Sequence, residues 1–188
     1  RALLGYPQNR KLVLFSAMNA TYDKNKGFHY IAAALRQLAD EGWDDRMELM
    51  VVGQSAPSIP VDTVLPNRFL GVLRDEISMR LVYSAADVTV MASAQENLPN
   101  SIMESLACGT PVVAFNVGGI PHLVEHQANG YLAQPFSIDD LSAGLSFVLS
   151  DEDRWRRLSD RARDKIESEF NADKIARQYL TLYEQLLS

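Results

Sequence analysis

Asp87-Val-Thr-Val-Met-Ala-Ser-Ala-Gln-Glu-Asn-Leu-Pro-Asn-Ser-Ile-Met-Glu-Ser-Leu-Ala-Cys-Gly-Thr-Pro-Val-Val-Ala-Phe115 is the stretch whose reading decides the fold. It opens on a short apolar run, Asp87 to Met91, that reads as a buried strand. It closes on another, Pro111 to Phe115. Between them Ser101 to Cys108 reads as a short helix, stopped by Gly109 and Pro111. Strand, helix and strand in succession form the unit of a parallel sheet, because parallel neighbours need a crossover between them.

The same alternation continues in both directions. Before this stretch lie a buried strand at Lys11 to Phe15 and a helix at Gly27 to Ala39, with Phe28, Ile31, Ala34, Leu35 and Leu38 on one side. Glu48 to Val52 is a second buried strand ending at Gly53, and Arg68 to Leu70 a third ending at Gly71. Asp75 to Ala85 reads as a helix with Ile77, Leu81 and Val82 on its apolar face. Beyond the stretch, Tyr131 to Ala133 is a last strand, and Ser137 to Leu149 and Asp151 to Phe170 are helical. Asn171 to Leu187 closes the chain with Ile175, Tyr179, Leu182, Tyr183 and Leu186 at helical spacing. That stripe reads as core. Asp151-Glu-Asp153 spells a metal-binding Asp-x-Asp, but it follows a helix and reads as acidic residues opening the next one. Strands of continuous apolar character predict an α/β fold, a doubly wound parallel sheet covered on both faces (Rossmann-like). Ligands of such sheets bind beyond the carboxyl ends of the strands. The loops to examine therefore follow Phe15, Val52, Leu70, Met91 and Phe115.

Composition bounds the function. The 188 residues suit a single domain over 1–188, and 47% hydrophobic with 22% charged residues is ordinary for a globular core. A net charge of −6 with no basic stripe argues against nucleic acid as a partner. The one cysteine, Cys108, excludes an internal disulfide and suits a reducing compartment, so the cytoplasm is expected. Its small neighbours predict a buried side chain. No apolar run approaches the roughly 18–20 residues of a membrane span, and no signal peptide is present. The chain opens on Arg1 rather than Met, from which we expect it to begin inside a longer protein.

The chemistry concentrates after Met91. Glu96 lies in the loop beyond a strand end, and Glu104 lies about one turn into the following helix. That helix is expected to start near Pro99 or Asn100, since Pro favours the first helical position and Asn caps well. Free backbone N–H groups at such a start bind anions. Carboxylates accept hydrogen bonds, so they suit ribose and hexose hydroxyls. Two carboxylates flanking an anion site match a ligand with sugar on both sides of a phosphate group, as in a nucleoside diphosphate sugar. Lys26 stands at the opening of the first helix, against the helix dipole, a placement that an intervening anion explains. Two other classes fit parts of this pattern: a glycosidase using the Glu96/Glu104 pair, in which Lys26 has no place, and a non-enzymatic nucleotide-sugar-binding module. Taken singly, Glu96, Glu104 and Lys26 also read as solvated surface residues.

The residues Glu96, Glu104, Ala107, Gly109, Pro111, Val112, Gly118-Gly-Ile-Pro121 and Asn129-Gly-Tyr-Leu132 resemble the signature of the large family of retaining glycosyltransferases called group 1, or family 4. Lys26-Gly27, Gly53 and Gly71 fall in the family's order, and the resemblance covers nearly the whole chain. It implies the C-terminal half of a GT-B enzyme, whose reaction moves a sugar from a nucleoside diphosphate sugar to an acceptor hydroxyl with retention and without a metal or other cofactor. It suggests a part in polysaccharide or glycolipid biosynthesis. On this reading Glu96 faces the transferred sugar and, with Lys26, carries the catalytic role. Glu104 takes the ribose diol. The amides of Leu98, Asn100 and Ser101 hold the diphosphate with Lys26, and Gly53, Val72, Leu73 and Asn97 complete the substrate-binding set, the turn at Val72 and Leu73 meeting the base. The acceptor would bind a missing N-terminal domain, toward which the last helix, about 171–188, would pack with part of its Ile175, Tyr179 and Tyr183 face. Peripheral membrane association is expected only of the full enzyme, and the fragment alone is expected to be inactive.

The sequence departs from the family pattern in three places. Ser16-Ala17 stands where Gly-Arg is usual, His122 where a Glu follows Gly-Gly-Ile-Pro, and Asn97-Leu98-Pro99 where a glycine-rich loop is usual. Arg74 and the amides of Asn19 and Asn25 are candidates to replace the missing arginine, and His122 is the histidine to watch for a site role.

Overall fold

A computed structural model of the chain describes residues 1–19, 21–55 and 63–187. The apolar runs form strands β1 (Lys11–Ser16), β2 (Met47–Val52), β3 (Asn67–Phe69), β4 (Val88–Met91), β5 (Val112–Phe115) and β6 (Gly130–Ala133). They make one sheet in the order β3-β2-β1-β4-β5-β6, with every neighbouring pair parallel. The helices are α1 (Phe28–Leu38), α2 (Glu76–Ala85), α3 (Asn100–Ala107), α4 (Ile120–Leu123), α5 (Ile138–Leu149), α6 (Glu152–Glu169) and α7 (Ala172–Leu187). This is the expected doubly wound α/β architecture; α4 is an element that the spacing does not predict. No helix among the described residues is long and apolar enough to cross a membrane.

The strands β1, β2, β4 and β5 read as mostly apolar runs because both sides of the sheet are dry there, whereas the edge strand β3 is largely exposed. Val13, Phe15, Leu49, Val51, Val113 and Phe115 join Ile31 and Leu35 of α1 and Leu141 and Leu145 of α5 in one buried cluster. The alternate residues Leu12, Leu14, Met50 and Val52 join Val82, Tyr83 and Ala85 of α2. Val112 and Ala114 meet Ile102 and Leu106 of α3 and Ala162 of α6. Asp151 opens α6 as its acidic start suggests: its carboxylate accepts the Arg154 amide at 2.8 Å, a bond that holds its pKa below the ordinary value.

Two amphipathic readings need correction. On α2, Ile77 is 74% exposed and Leu81 42%, whereas Val82, Tyr83 and Ala85 are buried. Only the last turns of α2 reach the sheet, so a stripe counted from its first turn is out of phase. On α7 no residue is buried, and Tyr179, Leu182, Tyr183 and Leu186 are all exposed. Its stripe is not core, because α6 already closes that side with Leu158 and Ala162.

At the edge where β1 and β4 begin, Asp87 is buried with its hydrogen-bonding capacity used. One carboxylate oxygen accepts the Leu12 amide at 2.7 Å and pairs with Arg1. The other lies 3.6 Å from Lys11 Nζ. The Asp87 carbonyl accepts from Trp155 Nε1 of α6 at 2.6 Å. One residue thus joins β1, β4 and α6. Replacing Asp87 by Ala strands the Leu12 amide and takes a carboxylate from Arg1 and from Lys11, which keeps Glu152 at 3.3 Å, and we expect the chain to lose about 2–4 kcal/mol of stability. Urea unfolding of D87A checks this; a midpoint equal to that of the wild type would remove the residue from the set that holds the fold.

Candidate functional site

The strand order reverses direction at β1, where the chain first builds outward to β2 and β3 and then crosses back to β4. In open α/β sheets the crevice at this switch point, beyond the carboxyl ends of the strands, is where ligands lie. Here its walls are the loops after β1 and β4, and they carry Lys26 and Glu96.

The loop after β1 is fastened on both sides. Buried Gln54 accepts the Thr21 amide at 2.8 Å and donates to the Thr21 hydroxyl at 2.6 Å. The Ala94 amide donates to the Asn25 carbonyl at 2.9 Å. Lys26 ends a short 3-10 turn, and Gly27, with φ 69°, leads into α1. Gly27 packs directly on β4: a Cβ there would collide with the Ala92 carbonyl. The result brings together residues 70 positions apart in sequence, with Lys26 Nζ 2.8 Å from Glu96 Oε1. The Lys26 side chain is 32% exposed and that of Glu96 16%.

The Glu96 loop is fixed from its other side by Gly118 and Gly119. A Cβ on Gly118 would collide with the Glu96 carbonyl, and one on Gly119 with that of Asn97. The Gly119 amide donates to the Glu96 carbonyl at 3.2 Å. This is the physical content of the Gly-Gly pair in the sequence signature. Past the loop, Asn97, Leu98 and Asn100 are exposed, Ser101 is half-buried and Pro99 is buried. The expected helix start shifts by one position: Pro99 is the cap, in extended conformation, and Asn100 is the first helical residue, so Asn100 caps nothing. The Pro99 carbonyl takes the amides of Ile102 and Met103. Within the described residues no hydrogen bond engages the amides of Leu98, Asn100 and Ser101.

Glu104, exposed at the middle of α3, has a partner that sequence reasoning missed. The Tyr83 hydroxyl donates to Glu104 Oε2 at 3.0 Å. Tyr83 is 1% exposed, and burial, with the Glu104 carboxylate next to it, pushes its phenol pKa far above the ordinary value, while the Ser16 hydroxyl works the other way. The phenol is therefore a proton donor at any working pH. Its backbone is anchored too: the Thr110 hydroxyl donates to the Tyr83 carbonyl at 2.7 Å, and Ser105 joins Thr89 and the Thr110 carbonyl in the same buried network. The available signal was a tyrosine, rather than a leucine or phenylalanine, on a buried helix face, because a buried phenol needs a hydrogen-bond partner.

Glu104 and Tyr83 form one wall of a cleft of about 520 Å³, with Leu73, Arg74, Met79 and Cys108 among the others. Cys108 is thus half-buried on a cleft wall instead of fully buried as expected, and burial raises its thiol pKa. Val72 is exposed and does not line this cleft. Gly53 is buried behind it, its amide donating to the Gly71 carbonyl at 2.8 Å. Of the candidates to replace the missing arginine, Asn25 is engaged, since its amide donates to Asp23 at 2.9 Å, whereas Arg74 reaches the Glu104 cleft. His122 is exposed on α4.

Residues 10–151 match the family model described as Glycosyl transferases group 1. The chain is similar to the N-acetyl-alpha-D-glucosaminyl L-malate synthase of Bacillus anthracis, with 32% identity over 119 residues, covering 63% of this chain and 30% of that protein. Its structure is similar to that of sucrose-phosphate synthase from Thermosynechococcus elongatus, with a TM-score of 0.83 and 29% identity, covering 100% of this chain and 48% of the other. HepE of Anabaena, solved in complex with UDP and glucose, shares the fold at a TM-score of 0.80 and 23% identity, covering 98% of this chain and 51% of HepE. The chain therefore spans about half the length of these solved structures. With the family model running from before β1 to the opening of α6, and with the signature's glycines clamping the loop that carries Glu96, the chain belongs to the group 1 glycosyl transferases.

Proposed function

We propose that this chain is the donor-binding half of an enzyme that moves a sugar from a nucleoside diphosphate to an acceptor hydroxyl, with retention and without a metal on the diphosphate. One observation carries the reading. The switch-point crevice presents a cation paired with one carboxylate, Lys26 with Glu96, and a second carboxylate, Glu104, on the wall of a separate cleft. In the chain the unengaged amides at the start of α3 lie between Glu96 and Glu104. That layout suits a ribose at Glu104, a diphosphate at the α3 amides and Lys26, and a hexose at Glu96. The UDP and glucose bound to HepE support it by similarity of fold. A lysine and helix amides supply the positive potential that a metal supplies elsewhere. Family membership sets the glycosidase reading aside.

Tyr83 enters this reading as a positioning residue. Its hydroxyl occupies Glu104 Oε2 and orients the carboxylate toward the cleft. The acceptor site belongs to the half of the enzyme outside this chain, and the exposed apolar face of α7 is the surface we assign to contact with it. Closure of the two halves excludes water and brings the acceptor hydroxyl to the donor.

We expect Glu104→Ala to weaken nucleotide binding by roughly 1–3 kcal/mol. Calorimetry with a nucleoside diphosphate and its 2′-deoxy analogue should show the preference for ribose collapse in E104A and narrow in Y83F. A ribose preference unchanged in E104A would take Glu104 out of the site. Lys26→Ala should weaken the diphosphate more than the parent nucleoside, and equal losses for both would sink its assignment to phosphate. Labelled nucleotide sugar incubated with the chain and candidate lipid or saccharide acceptors should give no transfer, since positioning of the acceptor accounts for roughly 7–11 kcal/mol of such a barrier. Turnover matching that of a two-domain protein would overturn the donor-half assignment.

A further inference from the structure

The ion pair between Lys26 and Glu96 joins the group assigned to phosphate to the group assigned to the transferred sugar. At 2.8 Å and mostly shielded from solvent, it is a charge-assisted hydrogen bond rather than a loose surface contact. Both backbones are closely packed, next to Lys26 by Gly27 on Ala92 and at Glu96 by Gly118 and Gly119, and this packing sets the two side chains side by side. A phosphate that engages Lys26 therefore competes with Glu96 for the ammonium.

Two ligands of one site meet this competition differently. A nucleoside diphosphate draws the ammonium toward itself and offers Glu96 nothing in return. A nucleoside diphosphate sugar draws the same ammonium but brings hydroxyl donors to the carboxylate, which replace the lost hydrogen bond.

We propose that the Lys26–Glu96 pair makes the site select the intact donor over the spent nucleoside diphosphate, so that Glu96 lowers affinity for the product of its own reaction. This rests on the donor-site reading above. A purely structural role for Glu96 predicts that its removal weakens every ligand; this role predicts that it strengthens one of them.

The test is a double-mutant cycle by calorimetry on the purified chain, with variants E96Q, K26M and E96Q/K26M. The probes are whichever of UDP, GDP and ADP the wild type binds most tightly, and its glucose ester. E96Q should bind the diphosphate about tenfold more tightly than the wild type, the scale of one charge-assisted hydrogen bond. It should bind the glucose ester no more tightly, so the preference for donor over diphosphate falls by about the same factor. In the K26M background the Glu96 substitution should change diphosphate affinity by less than about twofold, because the coupling runs through the lysine. A gain that persists in K26M would reduce the effect to simple repulsion by a carboxylate and overturn the proposal, as would no gain in E96Q at all. If K26M itself leaves diphosphate affinity unchanged, or no nucleotide binds, the donor-site reading fails and takes the proposal with it. A K26M loss without an E96Q gain sinks the proposal alone.

Discussion

Three backbone carbonyls at one end of the sheet, those of Ala92, Glu96 and Asn97, are met by main chain that carries no side chain. Gly27 covers the first, Gly118 the second and Gly119 the third, and a methyl group at any of them would strike the carbonyl it covers. The rest of the site depends on this contact. Loops at the edge of a sheet are ordinarily its most mobile part, yet the Glu96 loop is held by the Gly119 amide on its own carbonyl and, through Ala94, by the loop that carries Lys26. Groups that must keep a fixed geometry gain from such rigid support. The glycines bring no chemistry of their own; they remove the bulk that would keep Lys26 and Glu96 apart.

The sheet divides its labour between its two ends. Where β1 and β4 begin, a buried carboxylate, Asp87, has its partners supplied by the chain itself, from the Leu12 amide to Arg1 and Lys11. Where the same strands end, the polar groups are only partly provided for: the amides opening α3 have no partner among the described residues, and Glu104 lines a cleft. A buried polar group left unsatisfied costs stability, so the first arrangement is built for the fold. The second is tolerable because it stands at the surface, where solvent or a ligand can complete it.

This division also explains what could be read from the sequence. Strands dry on both faces leave unbroken apolar runs, so the central strands were legible, and all six were placed to within one residue at their ends. Helical stripes were less reliable guides. On α2 the stripe was right at Val82 but also led to Ile77 and Leu81, whereas Tyr83 and Ala85 complete the packing face. On α7 a well-formed stripe leaves none of its residues fully buried. Local patterning records which face prefers a dry partner and not whether that partner lies in the same chain. The charged residues were legible as types at strand ends. Their pairings were not, because Lys26 and Glu96 lie 70 residues apart and Tyr83 and Glu104 lie 21 apart on different helices.

The departure at the end of β1 acquires a meaning once Tyr83 is in view. The sequence pattern of the family places a glycine and an arginine where this chain has Ser16 and Ala17. A glycine at the first position offers no hydroxyl, whereas Ser16 sets one beside the buried phenol that binds Glu104. An arginine at the second would bring a charge toward the diphosphate; alanine brings none, and its carbonyl packs against Gly53 instead. The two differences bear on different groups. One lengthens the hydrogen-bonded chain behind the carboxylate assigned to ribose, and the other leaves Lys26 with a larger share of the positive charge near the α3 amides. A lysine carrying more of the phosphate contact is also one for which Glu96 competes more effectively. On the proposed reading, the alanine at 17 and the ion pair at 2.8 Å are two parts of one electrostatic arrangement, in which phosphate and carboxylate compete for the Lys26 ammonium.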